Sequence, residues 1–276
     1  MFLGYNTNGF AHHRLEDTIE ILADLGYQGI GLTLDWNTIH FSEGNWYDRA
    51  AKIQEWLNQH HMKVVIETGA RFLLDMRRKH QPTLLTSSVE ERLQRFDFLD
   101  TCSRLGRILR AEAISFWSGT ALDETSHSEL CQRLATSCRT LCDAPKGFES
   151  RWAFEPEPGM FIDTMDKFAE LHKSVDRRNF GLTLDLGHLH CQGEFPIREH
   201  LLRWKNQLWN IHIEDMKQGV HDHLMFGEGE INFAEIFETL HEIDYQGGIF
   251  VELSRHSHNA VEVARKAMAF LKPYLR

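Results

Sequence analysis

The sequence predicts a parallel (β/α)₈ barrel in one domain, and three observations carry that prediction. Short apolar runs alternate with amphipathic stretches along all 276 residues, the pattern of strands joined by crossover helices. The length is close to the roughly 250 residues typical of such a barrel and allows a large core. Four successive apolar runs end on a residue able to bind metal and move protons: Glu155, Asp185, His212 and Glu252, separated by 30, 27 and 40 residues. A strand plus its crossover helix takes about 30 residues or a little more, so one such residue falls at each of four consecutive strand ends. In a parallel barrel these ends share the face where active sites are built. The spacing points to a divalent-metal enzyme.

Taken in order, residues 2–5 read as strand one, followed by a helix with Leu15, Ile19, Leu22 and Ala23 on one face that stops near Gly26. Residues 29–33 form strand two, and a helix through Ile53, Trp56 and Leu57 leads to strand three at 63–67. A helix from about Ser88, with Leu93, Phe96 and Leu99 inward, precedes strand four at 111–116. Cys131, Cys138 and Cys142 then share one helix side with Leu134 and Leu141, as small buried hydrophobes.

The remaining strands are 152–155, 180–185, 208–212 and 248–252. Between and after them lie helices marked by Phe168 and Leu171, by Leu201, Leu202 and Trp204, by Ile236, Phe237 and Leu240, and by Val261, Ala264, Met268 and Leu271. Asn232 and Glu235 have the residue types that satisfy free amides at a helix start. No linker, low-complexity segment or composition break interrupts 1–276. The alternation excludes a sandwich, and the first turn lacks the glycine-rich signature of a doubly wound sheet. Strands one and four carry the weakest signal, which leaves an incomplete barrel as the alternative.

Thirty Lys and Arg against forty Asp and Glu give a formal charge of −10, which disfavours nucleic acid and acidic membranes and fits a small neutral substrate. There is no signal-peptide pattern, and no run approaches roughly 20 apolar residues, so a cytoplasmic protein without membrane contact is expected. Five cysteines with no Cys-x-x-Cys pair argue against a disulfide framework or a thiolate zinc site. Cys191, near the proposed site, has no mark of a nucleophile.

Carboxylates with one imidazole suit one divalent ion, Mn²⁺, Co²⁺, Mg²⁺ or Zn²⁺. His188, three residues after Asp185, is expected in the turn above it at substrate distance. Glu155 and Glu157 are two apart and both aim at one side of an extended chain; Glu155 is preferred as ligand because it ends the apolar run. The stretch from His212 through Asp215, Lys217, His221 and His223 to Gly227-Glu228-Gly229-Glu230-Ile231 is the most characteristic local signature.

These motifs resemble the xylose-isomerase-like TIM barrel superfamily of sugar-phosphate isomerases and epimerases, ketohexose 3-epimerases, inosose dehydratases and the endonuclease IV branch. The resemblance rests on Glu155 before Pro156-Glu157-Pro158-Gly159, Asp185-x-x-His188, His212-x-x-Asp215, the Gly227–Ile231 segment and Glu252, over about the last 125 residues. The first half matches in architecture only. The resemblance implies that Glu155, Asp185, His212 and Glu252 hold one divalent ion and that His188 touches substrate oxygen. Glu155 and Glu252 would face the substrate from opposite sides, one removing a proton next to a carbonyl and the other returning it through a metal-stabilised enediolate. Epimerisation or aldose–ketose isomerisation follows.

Glu157, Lys217, His223, Arg255, Trp117 and Arg71 complete the expected carbohydrate contacts, and homo-oligomerisation stays open. His12, His13, His40 and Trp36 also follow strands but read as packing or solvated loop. The basic run Arg77-Arg78-Lys79-His80 reads as a solvated face, with a substrate phosphate or carboxylate as the alternative. A dehydratase is the nearer competing reading, because the same enolate can expel a β-hydroxyl. A non-catalytic sugar-binding barrel is disfavoured by the two glutamates. A three-zinc nuclease is more remote: Thr33-Leu34-Asp35 and Glu67-Thr68-Gly69 stand where that branch has histidines, and His221 replaces an aspartate.

Overall fold

The computed structural model describes residues 1–42, 44–122, 124–144 and 150–275. Its barrel strands are β1 (Phe2–Asn6), β2 (Gly29–Thr33), β3 (Lys63–Glu67), β4 (Ile114–Phe116), β5 (Trp152–Phe154), β6 (Phe180–Asp185) and β7 (Leu208–Ile213). An antiparallel hairpin of β8 (Asp215–Lys217) and β9 (Val220–Leu224) follows, and β10 (Gly248–Val251) is the last barrel strand. The eight barrel strands are parallel and close in the order β1-β10-β7-β6-β5-β4-β3-β2. β1 pairs with both β10 and β2, so the barrel is complete.

Strand alternation divides the side chains into two environments. Outward residues such as Ile30, Ile66, Leu182, Leu184 and Ile211 belong to the large core under the helices. Inward, Phe2, Val65, Ala113, Ala153 and Phe250 form a separate apolar cluster. One pleat further along the same strands stand Glu67, Ser115, Glu155 and Glu252, joined by Thr183, Asp185, Asn210 and His212 of β6 and β7. The barrel is therefore plugged by hydrocarbon and polar above the plug. Gly4 makes room for the plug, since a Cβ there would lie 2.2 Å from the Phe250 ring.

The surrounding helices are α1 (Leu15–Asp24), α2 (Trp46–Gln59), α3 (Val89–Leu109), α4 (His127–Asp143) and α5 (Met165–Val175), then α6 (Leu186–Gln192), α7 (Ile197–Trp204), α8 (Phe233–Glu242) and α9 (Ala260–Leu271). Ser88 and Ser126 cap α3 and α4 by accepting amides three residues on. Asn232 does the same for Glu235, as its residue type predicts.

Several expectations are corrected. β4 begins at Ile114 rather than 111, because Arg110 takes a left-handed conformation and the Ala111 amide donates to the Gly106 carbonyl 2.8 Å away. Those residues are spent ending α3. Leu93 is exposed and Phe96 half-buried; the inward stripe of α3 is Arg95, Phe98, Leu99, Cys102, Leu105 and Leu109. Val261 is likewise exposed, and Val263, Ala264, Ala267 and Leu271 form the buried face of α9. Cys138 is buried while Cys131 and Cys142 are half-buried, and all the cysteines are free. Among the described residues, no helix is long and apolar enough to cross a membrane.

Candidate metal centre

The strand-end residues converge on His212. Its Nδ1 lies 3.1 Å from Glu155 Oε1, 3.0 Å from Glu252 Oε2 and 4.0 Å from Asp185 Oδ2. One ligand atom from each of Glu155, Asp185, His212 and Glu252 falls within 4.8 Å of the other three. Asp185 and His212 sit opposite each other in the β6–β7 register. Glu155 and Glu252 lie one residue past their strands, held there by amide donation to the Phe116 and Ile213 carbonyls.

Neighbours fix these groups. Asn8 Nδ2 donates to Glu252 Oε1 at 2.9 Å. Asp185 Oδ1 accepts the His188 amide at 2.8 Å and so caps α6. His188 thus stands in the first turn of a helix, where a turn above the strand was expected, with Nε2 3.6 Å from Asp185 Oδ2 and 3.1 Å from His221 Nε2. His212 Nε2 lies 3.0 Å from Glu67 Oε1, which also accepts from Asn210 Nδ2 at 3.1 Å.

The site is rich in carboxylate. Glu67, Glu155, Glu157, Asp185, Glu214 and Glu252 share it with His188, His212, His221 and His223, and among the described residues none of the six carboxylates pairs with Lys or Arg. Burial pushes Glu155 up to about 7, against the opposing pull of His212. Burial, then Glu155 and Glu252, pushes Glu157 up to about 8. For Asp185 and Glu252, burial acts upward but is outweighed by neighbouring imidazoles, and both are held below the ordinary range. Burial takes His188 down to about 4. His212 is raised well above its usual value because Glu67, Glu155 and Glu252 outweigh burial.

A metal fits this donor set. Asp185 Oδ2 is enclosed and has no hydrogen-bond partner, an arrangement that is costly for an anion unless a cation faces it. With Nε2 turned to Glu67, His212 directs Nδ1 at the carboxylates, where a metal ion would take the place of the proton that Glu155 and Glu252 favour there, the orientation of a metal-binding imidazole. Two further groupings share the region: His188 with His221 and His223, and Asp185 with Glu214 and His223.

The cavity above the centre measures about 220 Å³ and takes in Glu155, Glu157, His188, His223, Arg255, Trp117 and Arg71 among its lining. It is smaller than the roughly 300–1,000 Å³ of drug-sized sites and suits one small polar molecule. Lys217 is the expected contact that lies outside: it is the exposed end of β8, beside Glu230. His12, His13, His40 and Trp36 are also outside the lining. Sequence reasoning ended strand three on Glu67 without grouping it with the other strand-end carboxylates; it ends β3 as they end theirs, and applying the same rule to strand three finds it. Asn210 is inward by the same alternation as His212. Glu214 carries no such signal, because it lies between β7 and β8.

Comparison with known proteins agrees with this architecture. Residues 19–274 match the family described as xylose isomerase-like TIM barrel, and the chain belongs to that family. It is 36% identical over 120 residues to an uncharacterised protein of Methanocaldococcus jannaschii, covering 42% of this chain and 39% of that protein. It is 28% identical over 159 residues to an inosose dehydratase of Lacticaseibacillus casei, covering 51% and 53%. The chain thus spans about half the length of the curated relatives it matches. A zinc-bound IolI protein superposes with a TM-score of 0.78 at 16% identity over 100% of this chain and 98% of that one. A D-tagatose 3-epimerase-like protein does so with 0.76 at 18% identity over the full length of both.

Proposed function

We propose that this protein is a divalent-metal-dependent isomerase or epimerase of a small carbohydrate. The observation that carries the reading is the placement of two carboxylates, Glu155 and Glu252, around His212 Nδ1 at 3.1 and 3.0 Å, at the floor of a cavity sized for one small molecule. A divalent ion held by Glu155, Asp185, His212 and Glu252 supplies Lewis acidity, which makes a carbon-bound proton beside a carbonyl removable near neutral pH. Glu252, oriented by Asn8, takes that proton, and Glu155 returns one from the other side of the substrate. Glu67 holds the His212 ring in place. His188, whose Nδ1 is enclosed without a hydrogen-bond partner, 3.8 Å from Glu155 Oε1, donates to a substrate oxygen, while Glu157, His223 and Trp117 line the pocket around it.

Dehydration is the second reading, supported by the 28% identity to an inosose dehydratase over half the chain. It needs the same proton abstraction, followed by loss of a β-hydroxyl. Nucleic acid is not the partner in either reading, since Thr33-Leu34-Asp35 and Glu67-Thr68-Gly69 stand where the three-zinc nucleases carry histidines.

The test is incubation of Mn²⁺-, Co²⁺-, Mg²⁺- or Zn²⁺-loaded protein with ketoses and inososes in D₂O, followed by NMR. Deuterium beside the carbonyl with a new epimer or aldose is the expected result, and an unsaturated product selects dehydration. No exchange and no product with any loaded metal overturns both.

A further inference from the structure

The cavity is electrically divided. Its floor carries the carboxylates around His212, whereas its β3–β4 wall carries Arg71, Lys79, His80 and Trp117. Among the described residues, neither Arg71 nor Lys79 has an ion-pair partner or a side-chain acceptor. Two nearby cations, Arg78 and Arg255, behave differently. Arg78 is bound by Asp75 and by Glu91, each at 2.6 Å, and Arg255, on the opposite wall, is paired with Asp222. The basic run therefore splits, with Arg78 neutralised outside and Lys79 turned to the cavity.

The loop that carries the two free cations is closed at His80. They flank His80 at the ends of one closed loop: the His80 amide donates to the Arg71 carbonyl at 2.5 Å, and His80 Nδ1 meets the Gly69 carbonyl at 2.8 Å. The His80 ring stands edge-on to Trp117 at 5.2 Å between centroids. Behind that indole lies Arg95, 1% exposed, with its guanidinium carbon 4.9 Å from the ring centre and Nη1 unpartnered. Three cations thus load one wall of the cavity, with no carboxylate among their described contacts. A half-buried guanidinium without an acceptor forgoes charge-assisted hydrogen bonds that an oxyanion would supply in bidentate form.

We infer that the substrate is an acidic carbohydrate whose carboxylate or phosphate is held by Arg71 and Lys79 while its carbonyl end faces Glu155, His212 and Glu252. The inference rests on the carbohydrate reading above and narrows it. It also reverses the neutral-substrate expectation drawn from net charge: a charge of −10 describes the whole surface, whereas a ligand responds to the groups within a few ångströms of it.

The test is isothermal titration calorimetry of the Mn²⁺-loaded full chain with two matched pairs, D-glucose with D-glucuronate and D-fructose with D-fructose 6-phosphate. In at least one pair the acidic member should bind about tenfold more tightly or better, and the pair with the larger ratio names the anion. In Arg71→Gln/Lys79→Gln that ratio should collapse towards one, whatever the change in the neutral sugar's own affinity. Both side chains are at the cavity surface, and an unchanged melting temperature confirms that the double variant is folded. Equal binding within both pairs overturns the acidic-substrate inference alone, as does a preference that survives the double substitution. If no member of either pair binds, the carbohydrate reading falls and takes the inference with it.

Discussion

Glu67 Oε1 and His212 Nε2 are 3.0 Å apart although 145 residues separate them in the chain. In the closed order of strands, β3 and β7 stand on opposite sides of the barrel, so this contact crosses its interior. It sets the imidazole: a proton on Nε2 shared with Glu67 leaves Nδ1 facing Glu155 and Glu252. Two carboxylates directed at a lone pair repel unless a proton or a cation lies between them. Glu67 thus prepares His212 for metal without itself being among the four grouped ligands.

Glu67→Ala should weaken metal binding by about 10–100-fold, the usual cost of losing the carboxylate behind a metal-binding histidine. Titration of the apo-protein with Mn²⁺ measures this. Unchanged affinity would mean that Asn210 and packing suffice to orient the ring.

Asp185 has two separable tasks. Asp185→Ala should lose the metal and also the α6 cap, the latter costing about 0.5–2 kcal/mol, whereas Asp185→Ser should lose the metal and keep the cap. Elemental analysis and urea denaturation of the metal-free variants read the two effects separately. Full metal occupancy in Asp185→Ala would remove the residue from the ion.

Glu252→Gln keeps an oxygen for Asn8 Nδ2 and so should fold normally, but it cannot accept a carbon-bound proton. Exchange of substrate hydrogen with D₂O should fall by about 10²–10⁴-fold. Wild-type exchange in this variant would sink the assigned base.

His80 makes an independent pH prediction. Burial, aided by Lys79, Arg95 and Arg71 against the Gly69 carbonyl, lowers its pKa from 6.5 to about 4. Between those values the unfolded chain binds a proton that the folded chain does not, so acidification through this window destabilises the fold, and the contribution is level above and below it. The full effect is on the order of 3 kcal/mol. His80→Asn, tolerated at the residue's positive φ of 66°, should remove that part of the pH dependence in a comparison of denaturation curves at pH 4 and 7. Parallel curves for both proteins would show that His80 titrates as it does in the open chain.

The barrel was legible because its signal is local. A strand repeats every two residues and a helix every 3.6, so runs such as 180–185 and 208–212 declare their type without reference to the rest of the chain. The facing of a helix is less local. Leu93 and Leu99 both fit an apolar stripe on α3, but packing against the strands buries Leu99 and leaves Leu93 in solvent. The β8–β9 hairpin escaped because β8 has three residues and β9 reads Val-His-Asp-His-Leu, too short and too polar for a clear period. Lys217 was placed near the substrate by its neighbours in sequence, and the hairpin turns it outward.

By itself the sequence determined the eight-strand alternation and the four strand ends that carry Glu155, Asp185, His212 and Glu252, since each depends on residues a few positions apart. Closure of the barrel decided the rest. It set Glu67 against His212 and left Asp185 Oδ2 facing imidazoles without a hydrogen-bond partner. Such relations arise between strands that only the closed sheet makes neighbours or opposites, and no local period of the chain encodes them.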